Sequence, residues 1–128
     1  MDAKETFTYE GKTYQVFKAL LYGHNWQLIL QQKKYVQGGG LAVEIYDICH
    51  DYAEEGEAPY PEPLAAATVN LGVAFTGDHA FIDTNNYPWL PEFLKEHDLA
   101  EPTGASARSG FCEYPLYKWN TDKFTVQQ

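Results

Sequence analysis

Apolar and polar residues alternate along most of the chain, as expected for β-strands with one buried face and one solvated face. The alternation predicts strands at residues 6–9, 12–17, 26–32, 41–46, 64–71, 80–83 and 111–119, the second of which can extend to residue 22. Glu10 and Gly11 separate the first two strands, and the glycine supplies the positive φ angle of a tight hairpin turn. Pro115 predicts that the last strand lies at a sheet edge or contains a bulge, because proline lacks a donor for the ladder.

One segment has the spacing of an α-helix instead of a strand. Its stripe of residues at positions i, i+3, i+4 and i+7 consists of Leu90, Phe93, Leu94 and His97. Pro88 suits the first turn of a helix, and Asn85 and Asn86 are candidate N-cap residues. We expect the helix to end before residues 101–104 and a loop of small residues to follow at 105–110.

These elements predict a single α+β domain over residues 1–128, since the sequence contains no internal repeat and no linker. We expect a curved, mainly antiparallel β-sheet of about six to seven strands with one α-helix, at about residues 88–97, packed on it. A chain of 128 residues with 45% hydrophobic and 16% aromatic residues can build one core without metals or cross-links. The aromatic content also excludes a disordered protein.

Acidic residues are concentrated in one half of the chain. The net charge is −9, and residues 35–94 hold ten Asp and Glu residues but no Lys or Arg. Because a basic stripe is lacking, we expect neither direct nucleic-acid binding nor docking on a membrane. Two interpretations stay open: a solvated segment that keeps the protein soluble, and an acidic surface that fits a protein with a basic surface.

The centre of this acidic half is a Pro-rich stretch at residues 48–63, which predicts the longest loop of the domain. Pro59, Pro61 and Pro63 stand at alternate positions and favour an extended, exposed backbone. The candidate acidic interaction surface comprises Asp47, Asp51, Glu54, Glu55, Glu57 and Glu62.

Cysteine and histidine positions predict neither a disulfide nor a metal site. Cys49 and Cys112 lie far apart in the sequence, and the four histidines show no zinc-ligand spacing. The polar N-terminus lacks the apolar core of a signal peptide, and no apolar run reaches the length of a membrane span. We therefore expect a cytoplasmic protein with reduced thiols and without a cofactor, and the oligomeric state stays open.

A second candidate site brackets the predicted helix. Asp83, Asn85 and Asn86 precede the helix, while Arg108, the only arginine, and Ser109 follow it. In one interpretation the first three residues are conformational, because Asp and Asn bond their own backbone in turns, and Arg108 is the counter-charge of Asp83. In the other, the two segments meet at one pocket where Arg108 binds a carboxylate or phosphate. No catalytic spacing such as GxSxG accompanies them, so we predict no enzyme.

The second half of the chain carries two strings that resemble a known bacterial family. They are FIDTNNYPW at residues 81–89 and SGFCEYPLY at residues 109–117. On these strings the chain resembles the uncharacterised domain of unknown function family 4313, met in gut Firmicutes and their mobile elements. The family has no known activity, so the resemblance transfers no catalytic residue and implies only an accessory or anti-defence role. The acidic insert at residues 48–63 is not part of the pattern that carries the resemblance.

Three functions stay open on these observations. The first is a non-enzymatic protein-interaction or accessory module of a bacterial mobile element, with an exposed acidic, Tyr-bearing loop as its surface. The second is an acidic nucleic-acid mimic that inhibits a DNA-binding or defence protein. The third is a small-ligand binder or hydrolase that uses Asp83, Arg108 and Ser109.

Overall fold

The computed structural model of the chain describes residues 5–35, 40–49, 59–71 and 78–124. Its strands form three sheets rather than one curved sheet, while the mainly antiparallel α+β class is confirmed. The smallest sheet pairs β1 (Thr6–Tyr9) with β2 (Lys12–Gln15). The N-terminal sheet has the order β3 (Phe17–Leu21), β4 (His24–Lys34), β5 (Leu41–Cys49) and β6 (Tyr60–Ala66). The C-terminal sheet has the order β7 (Thr68–Val69), β8 (His79–Ile82), β10 (Cys112–Trp119) and β9 (Ala100–Ser109). The helices of the described residues are α1 (Leu90–Glu96) and a 3-10 helix at Thr121–Lys123.

Two short interruptions divide the chain into these sheets. Val16 separates β2 from β3, so the first hairpin folds over the outer face of the N-terminal sheet. Ala67 separates β6 from β7; its N–H donates to the carbonyl of Val43 and its carbonyl accepts from the N–H of Asp83, both at 2.9 Å. Because Ala67 is fully buried, only a small side chain fits where the chain passes from one sheet to the next.

The inner faces of the two four-stranded sheets share one core with α1. Its most deeply buried members are Leu28, Leu30, Val43, Ile45, Ile82, Leu90, Leu94, Leu99 and Trp119. Burial of each large apolar side chain stabilises the fold by roughly 1.5–3 kcal/mol. This core therefore holds the two sheets and the helix together.

The outer face of the N-terminal sheet is covered as well. Tyr14 of β2 packs with Ile29 of β4 and Ile48 of β5. Leu28, Ile29 and Leu30 are each no more than 1% exposed, because β4 is buried on both faces. This explains why Ile29 departs from the strict alternation of that strand.

The hairpin turn predicted between the first two strands is confirmed. Glu10 and Gly11 have φ angles of 50° and 77°, which is the pair of left-handed residues that a type I′ turn requires. Tyr22 and Gly23 repeat this arrangement between β3 and β4, with φ angles of 53° and 79°. Both turns leave only two residues between paired strands.

The helix α1 is shorter than predicted and begins without a side-chain cap. It spans Leu90–Glu96 instead of residues 88–97, and its N-cap residue Trp89 makes no side-chain hydrogen bond. The prediction that Asn85 or Asn86 caps the helix is therefore wrong. The N–H of Leu90 donates to the carbonyl of Tyr87 at 3.1 Å, so a separate turn lies between the asparagines and the helix.

The helix ends before residue 101, as predicted, but residues 101–109 belong to the strand β9, so the predicted loop of small residues is wrong there. Small residues have little β propensity of their own, and the ladder with β10 overrides this local preference. The register shifts between Pro115 and Tyr117, which confirms the predicted bulge. The alternative of an edge position is wrong, because β10 lies between β8 and β9.

The ends of the predicted loop at residues 48–63 are strand. β5 continues through Cys49 and β6 begins at Tyr60. Pro61 and Pro63 stand in β6, the outer strand of its sheet, where a missing N–H does not disrupt a central ladder. Residues 50–58 lie outside the described residues.

Candidate interaction surface

The β9–β10 hairpin projects beyond the core, and we call its residues 101–115 the arm. None of these fifteen residues is buried, and all of residues 101–106 are exposed. A strand that packs on a core hides every second side chain, so this exposure shows that neither face of the arm packs on the core. Ala100 at its base is buried in the core, which fixes where the arm begins.

The tip of the arm carries a fully exposed phenylalanine. Ser109 pairs with Cys112, so Gly110 and Phe111 form a two-residue turn. Gly110 has a φ angle of 63°, as expected for the first central residue of a type II′ turn. Phe111 is 102% exposed, whereas in the described part of the chain the next most exposed large apolar side chains, Tyr22 and Leu20, are 76% and 70% exposed.

One face of the arm carries Arg108. In an antiparallel pair, residues directly opposite each other point to the same face, and Arg108 lies opposite Glu113. The Glu113 carboxylate nevertheless accepts a hydrogen bond from the Ser106 hydroxyl at 2.6 Å. Within the described residues Arg108 forms no ion pair, and the predicted pairing of Arg108 with Asp83 does not occur.

The other face of the arm carries Cys112 and Tyr114. Cys112 is a free thiol, and its hydrogen bond with Tyr114 is the main cause that raises the pKa of the Tyr114 hydroxyl. The negative charge of Asp83 also raises the pKa of Tyr114, so Asp83 lies close to Tyr114 although the two residues are far apart in the sequence. Asp83, which follows β8, therefore lies on the side of the sheet that carries Tyr114, whereas Arg108 lies on the opposite face of the arm.

The Asp83 carboxylate stabilises the turn between β8 and α1. Its Oδ1 accepts the backbone N–H of Asn86 at 3.1 Å, and its Oδ2 accepts the Asn86 side-chain amide at 2.8 Å. The Asp83 carbonyl accepts the N–H of Tyr87 at 3.0 Å. The structure thus brings Asp83 and Asn86 together, leaves Asn85 exposed on the same turn, and places Ser109 at the far end of the arm.

The described part of the candidate acidic surface is a pair of carboxylates on the N-terminal sheet. Asp47 of β5 lies directly opposite Glu62 of β6, so the two side chains point to one face. Asp47 also lines a groove of about 790 Å³ together with Lys18, His24, Asn25, Trp26, Gln27 and Ile48. The remaining predicted members, Asp51, Glu54, Glu55 and Glu57, lie outside the described residues.

A polar cluster that the sequence does not indicate lies on β4 and β5. The Lys33 ammonium contacts the Glu44 carboxylate at 2.9 Å, and the Tyr46 hydroxyl donates to the same carboxylate oxygen at 2.6 Å. The hydrogen bond from Tyr46, followed by that from Lys33, lowers the pKa of Glu44. The bond with Glu44 raises the pKa of Lys33.

Neither a metal centre nor a membrane span is found in the described part of the chain. No group of three or more His, Cys, Asp or Glu side chains converges there in a way that could hold a metal ion. No helix there combines the length and the apolar character that crossing a bilayer demands.

Comparison with known proteins gives one match. A family model described as a domain of unknown function, DUF4313, matches residues 29–127. No curated protein and no solved structure matches the chain. The matched range begins within β4 and includes the whole arm and the Asp83 turn, so both features belong to the part that resembles the family.

Proposed function

Because the chain belongs to the DUF4313 family of unknown function, we propose from its own geometry that it is a non-enzymatic protein-interaction module that docks through the arm. The observation that carries this proposal is Phe111, fully exposed at the tip of a hairpin whose residues are all unburied. The same proposal includes an accessory role in a bacterial mobile element, as the resemblance of residues 81–89 and 109–117 implies.

The energetics of Phe111 favour docking. An aromatic ring in water forgoes roughly 1.5–3 kcal/mol of hydrophobic stabilisation, which a partner's apolar pocket would supply. A two-residue turn holds the ring on a short, paired hairpin, so little conformational freedom is lost on binding. Large aromatic side chains are also the residues that most often dominate binding energy at interfaces.

The placement of the other candidate residues supports an interaction role over a ligand pocket or hydrolase. Such a site needs a base or an anion-binding cation within hydrogen-bond reach of its partner. Both carboxylate oxygens of Asp83 accept hydrogen bonds from Asn86, and Arg108 makes no ion pair with Asp83. These residues therefore act as separate features of a turn and an arm.

The test compares Phe111→Ser with a matched control, Leu20→Ser, on the tagged full chain. Both substitutions remove an exposed apolar side chain, Phe111 within a hairpin turn and Leu20 close to one, but only Phe111 lies on the arm. We expect proteins from the host cell to be retained by wild type and by Leu20→Ser and lost with Phe111→Ser, and the same order of affinity with the purified partner. Equal retention by all three chains would contradict docking through the arm.

A second candidate function rests on the acidic pair. Asp47 and Glu62 lie directly opposite each other on one face of the N-terminal sheet, so the two carboxylates bring negative charge together there. A basic partner surface would complement that charge, which keeps the acidic nucleic-acid mimic as an alternative. Its test is a salt titration of the complex with the captured partner, with Glu62→Gln compared against Glu101→Gln on the arm. Affinity that is unchanged between low and high salt would exclude it.

A further inference from the structure

We infer that the outer edge of β9 receives an extended strand from a partner protein, with a carboxylate of that strand on Arg108. This inference rests on the proposed function, because it assigns a binding mode to the same arm. Strand addition uses the free N–H and C=O groups of an edge strand, with side chains read at alternate positions.

The backbone of β9 is available for such pairing. Among the residues that the structure describes, only β10 pairs with β9, and β9 is the last strand of its sheet. The N–H of Ala105 is used locally, since it donates to the Thr103 hydroxyl at 3.1 Å beside the bulge. The stretch beyond it, residues 106–109, runs straight toward the tip with continuous register to β10.

This stretch lacks the features that proteins use to prevent edge pairing. Proline, lysine, bulges and inward charges are the usual devices. β6, the outer strand of the other sheet, contains Pro61, Glu62 and Pro63. Residues 106–109 are Ser-Ala-Arg-Ser, so the side chains are small except for one cation and leave the backbone accessible.

Arg108 specifies the charge of the added strand. It is exposed and forms no ion pair within the described residues, and the Glu113 carboxylate opposite it accepts the Ser106 hydroxyl. A guanidinium binds a carboxylate through two parallel hydrogen bonds, which gives geometry as well as attraction. An acidic residue on the partner strand is therefore the complementary group.

A second copy of the chain does not supply that group. If two β9 strands paired antiparallel about a two-fold axis, residues directly opposite each other would point to the same face of the joined sheet. Arg108 would therefore lie opposite only even-numbered residues of the other copy. In β9 these are Ala100, Pro102, Gly104, Ser106 and Arg108, none of which is acidic. Glu101 lies on the opposite face, so the charges favour a different protein.

The experiment uses the full chain and a displayed library of random nine-residue peptides. Selected peptides are synthesised, and each is methylated at one backbone nitrogen at a time. We expect the peptides to contain Asp or Glu, and methylation to weaken binding at alternate residues by about tenfold or more, since only every second N–H faces the edge. Arg108→Gln should weaken binding by about tenfold, whereas Lys118→Gln, which removes a cation elsewhere on β10, should change it less than about twofold.

The outcomes separate this inference from the proposed function. Peptides that need Phe111 but show no alternation on methylation would overturn strand addition and keep docking through the arm. Both proposals would be overturned if the peptides bound Phe111→Ser and Arg108→Gln as tightly as they bind wild type. A selection that returned no binding peptides would overturn both as well. A dimer in sedimentation equilibrium that Arg108→Gln dissociates would show that a second copy occupies the edge, and would overturn the partner strand.

Discussion

The outer strands β6 and β9 occupy equivalent places in the two four-stranded sheets but differ in where their prolines and charged residues stand. β6 carries Pro61, Glu62 and Pro63, and its Ala65 is buried in the core. β9 beyond its first residue is exposed or half-buried throughout and contains no proline after Pro102. We call β6 the closed edge, because its own prolines and acidic residue oppose pairing with a further strand. We call β9 the open edge, and an exposed aromatic ring lies at its tip.

This difference teaches that exposure alone does not identify an interaction surface. The prolines and the acidic residue of β6 prevent pairing with a further strand, although this strand is partly exposed. Small side chains on β9 hide little of the backbone, and the fold gives them no core to pack against. Matched substitutions on the two edges and beside them test whether the distinction holds and measure its size.

The largest difference in stability is expected between two single variants, each of which introduces one carboxylate on one of the two edges. Ala65→Asp should destabilise the fold by about 3 kcal/mol or more, because Ala65 is 6% exposed and the new charge would be unpaired. Ala105→Asp should change the free energy of unfolding by less than about 0.5 kcal/mol, because Ala105 is exposed. Denaturant unfolding of both variants measures this. Equal destabilisation would mean that the arm is buried in solution.

A smaller effect is expected at the turn that leads from β8, the neighbour of β10, into α1. Asp83→Ala removes both acceptors of Asn86 and should cost about 1 kcal/mol, while Asn85→Ala should cost less than about 0.5 kcal/mol. Thermal melts measure the difference. Binding through the arm should persist in both variants, since neither touches Phe111 or Arg108. A melt of Asp83→Ala that overlays wild type would contradict the conformational role of Asp83.

A pH-dependent effect is expected beside the closed edge, where Glu44 lies opposite Ala66 of β6. A folded-state pKa below the unfolded value means that ionised Glu44 stabilises the fold above the unfolded pKa, and that this stabilisation disappears as pH falls through the folded pKa. Because Glu44 and Lys33 are 40% and 46% exposed, Glu44→Gln should cost only about 0.5 kcal/mol at neutral pH. Urea unfolding at several pH values should show the two chains converging in acid. A difference that grows on acidification would contradict this account.

The smallest effect is expected from reversing one charge of the acidic pair. Glu62→Lys places a cation opposite Asp47 and should raise stability by about 0.2–1 kcal/mol. Glu101→Lys, an exposed acid on the arm opposite Lys118, provides the control and should lower stability slightly. Chemical denaturation resolves the two signs. Destabilisation by Glu62→Lys would show that the acidic pair is compensated by other contacts.

The sequence predicts the alternating strands and the first turn well, because their signals are local. Leu28, Leu30 and Ile45 fall on the inner face as the period of two indicates. The division into sheets depends instead on Val16 and Ala67, whose roles come from long-range packing of the sheets. No local pattern distinguishes them from strand residues.

The candidate site is predicted only in part, for a related reason. Arg108 and Ser109 are predicted to follow the helix in a loop of small residues, whereas they lie in a strand that forms through its pairing with β10. The sequence predicts Phe111 as the first residue of the last strand, although Gly110 before it is typical of a type II′ turn. The contact of Asp83 with Asn86 follows from turn chemistry, whereas its separation from Arg108 depends on the register of two strands.

Amide hydrogen exchange of the full chain, alone and saturated with a partner or peptide that binds the arm, tests the central claim most directly. An open edge that pairs with an added strand should gain protection in residues 105–112 on binding, with unchanged exchange in residues 60–66 of the closed edge. Arg108→Gln should reduce the protection at the same ligand concentration. Protection confined to residues 60–66, or absent from both edges in the bound protein, would contradict the account.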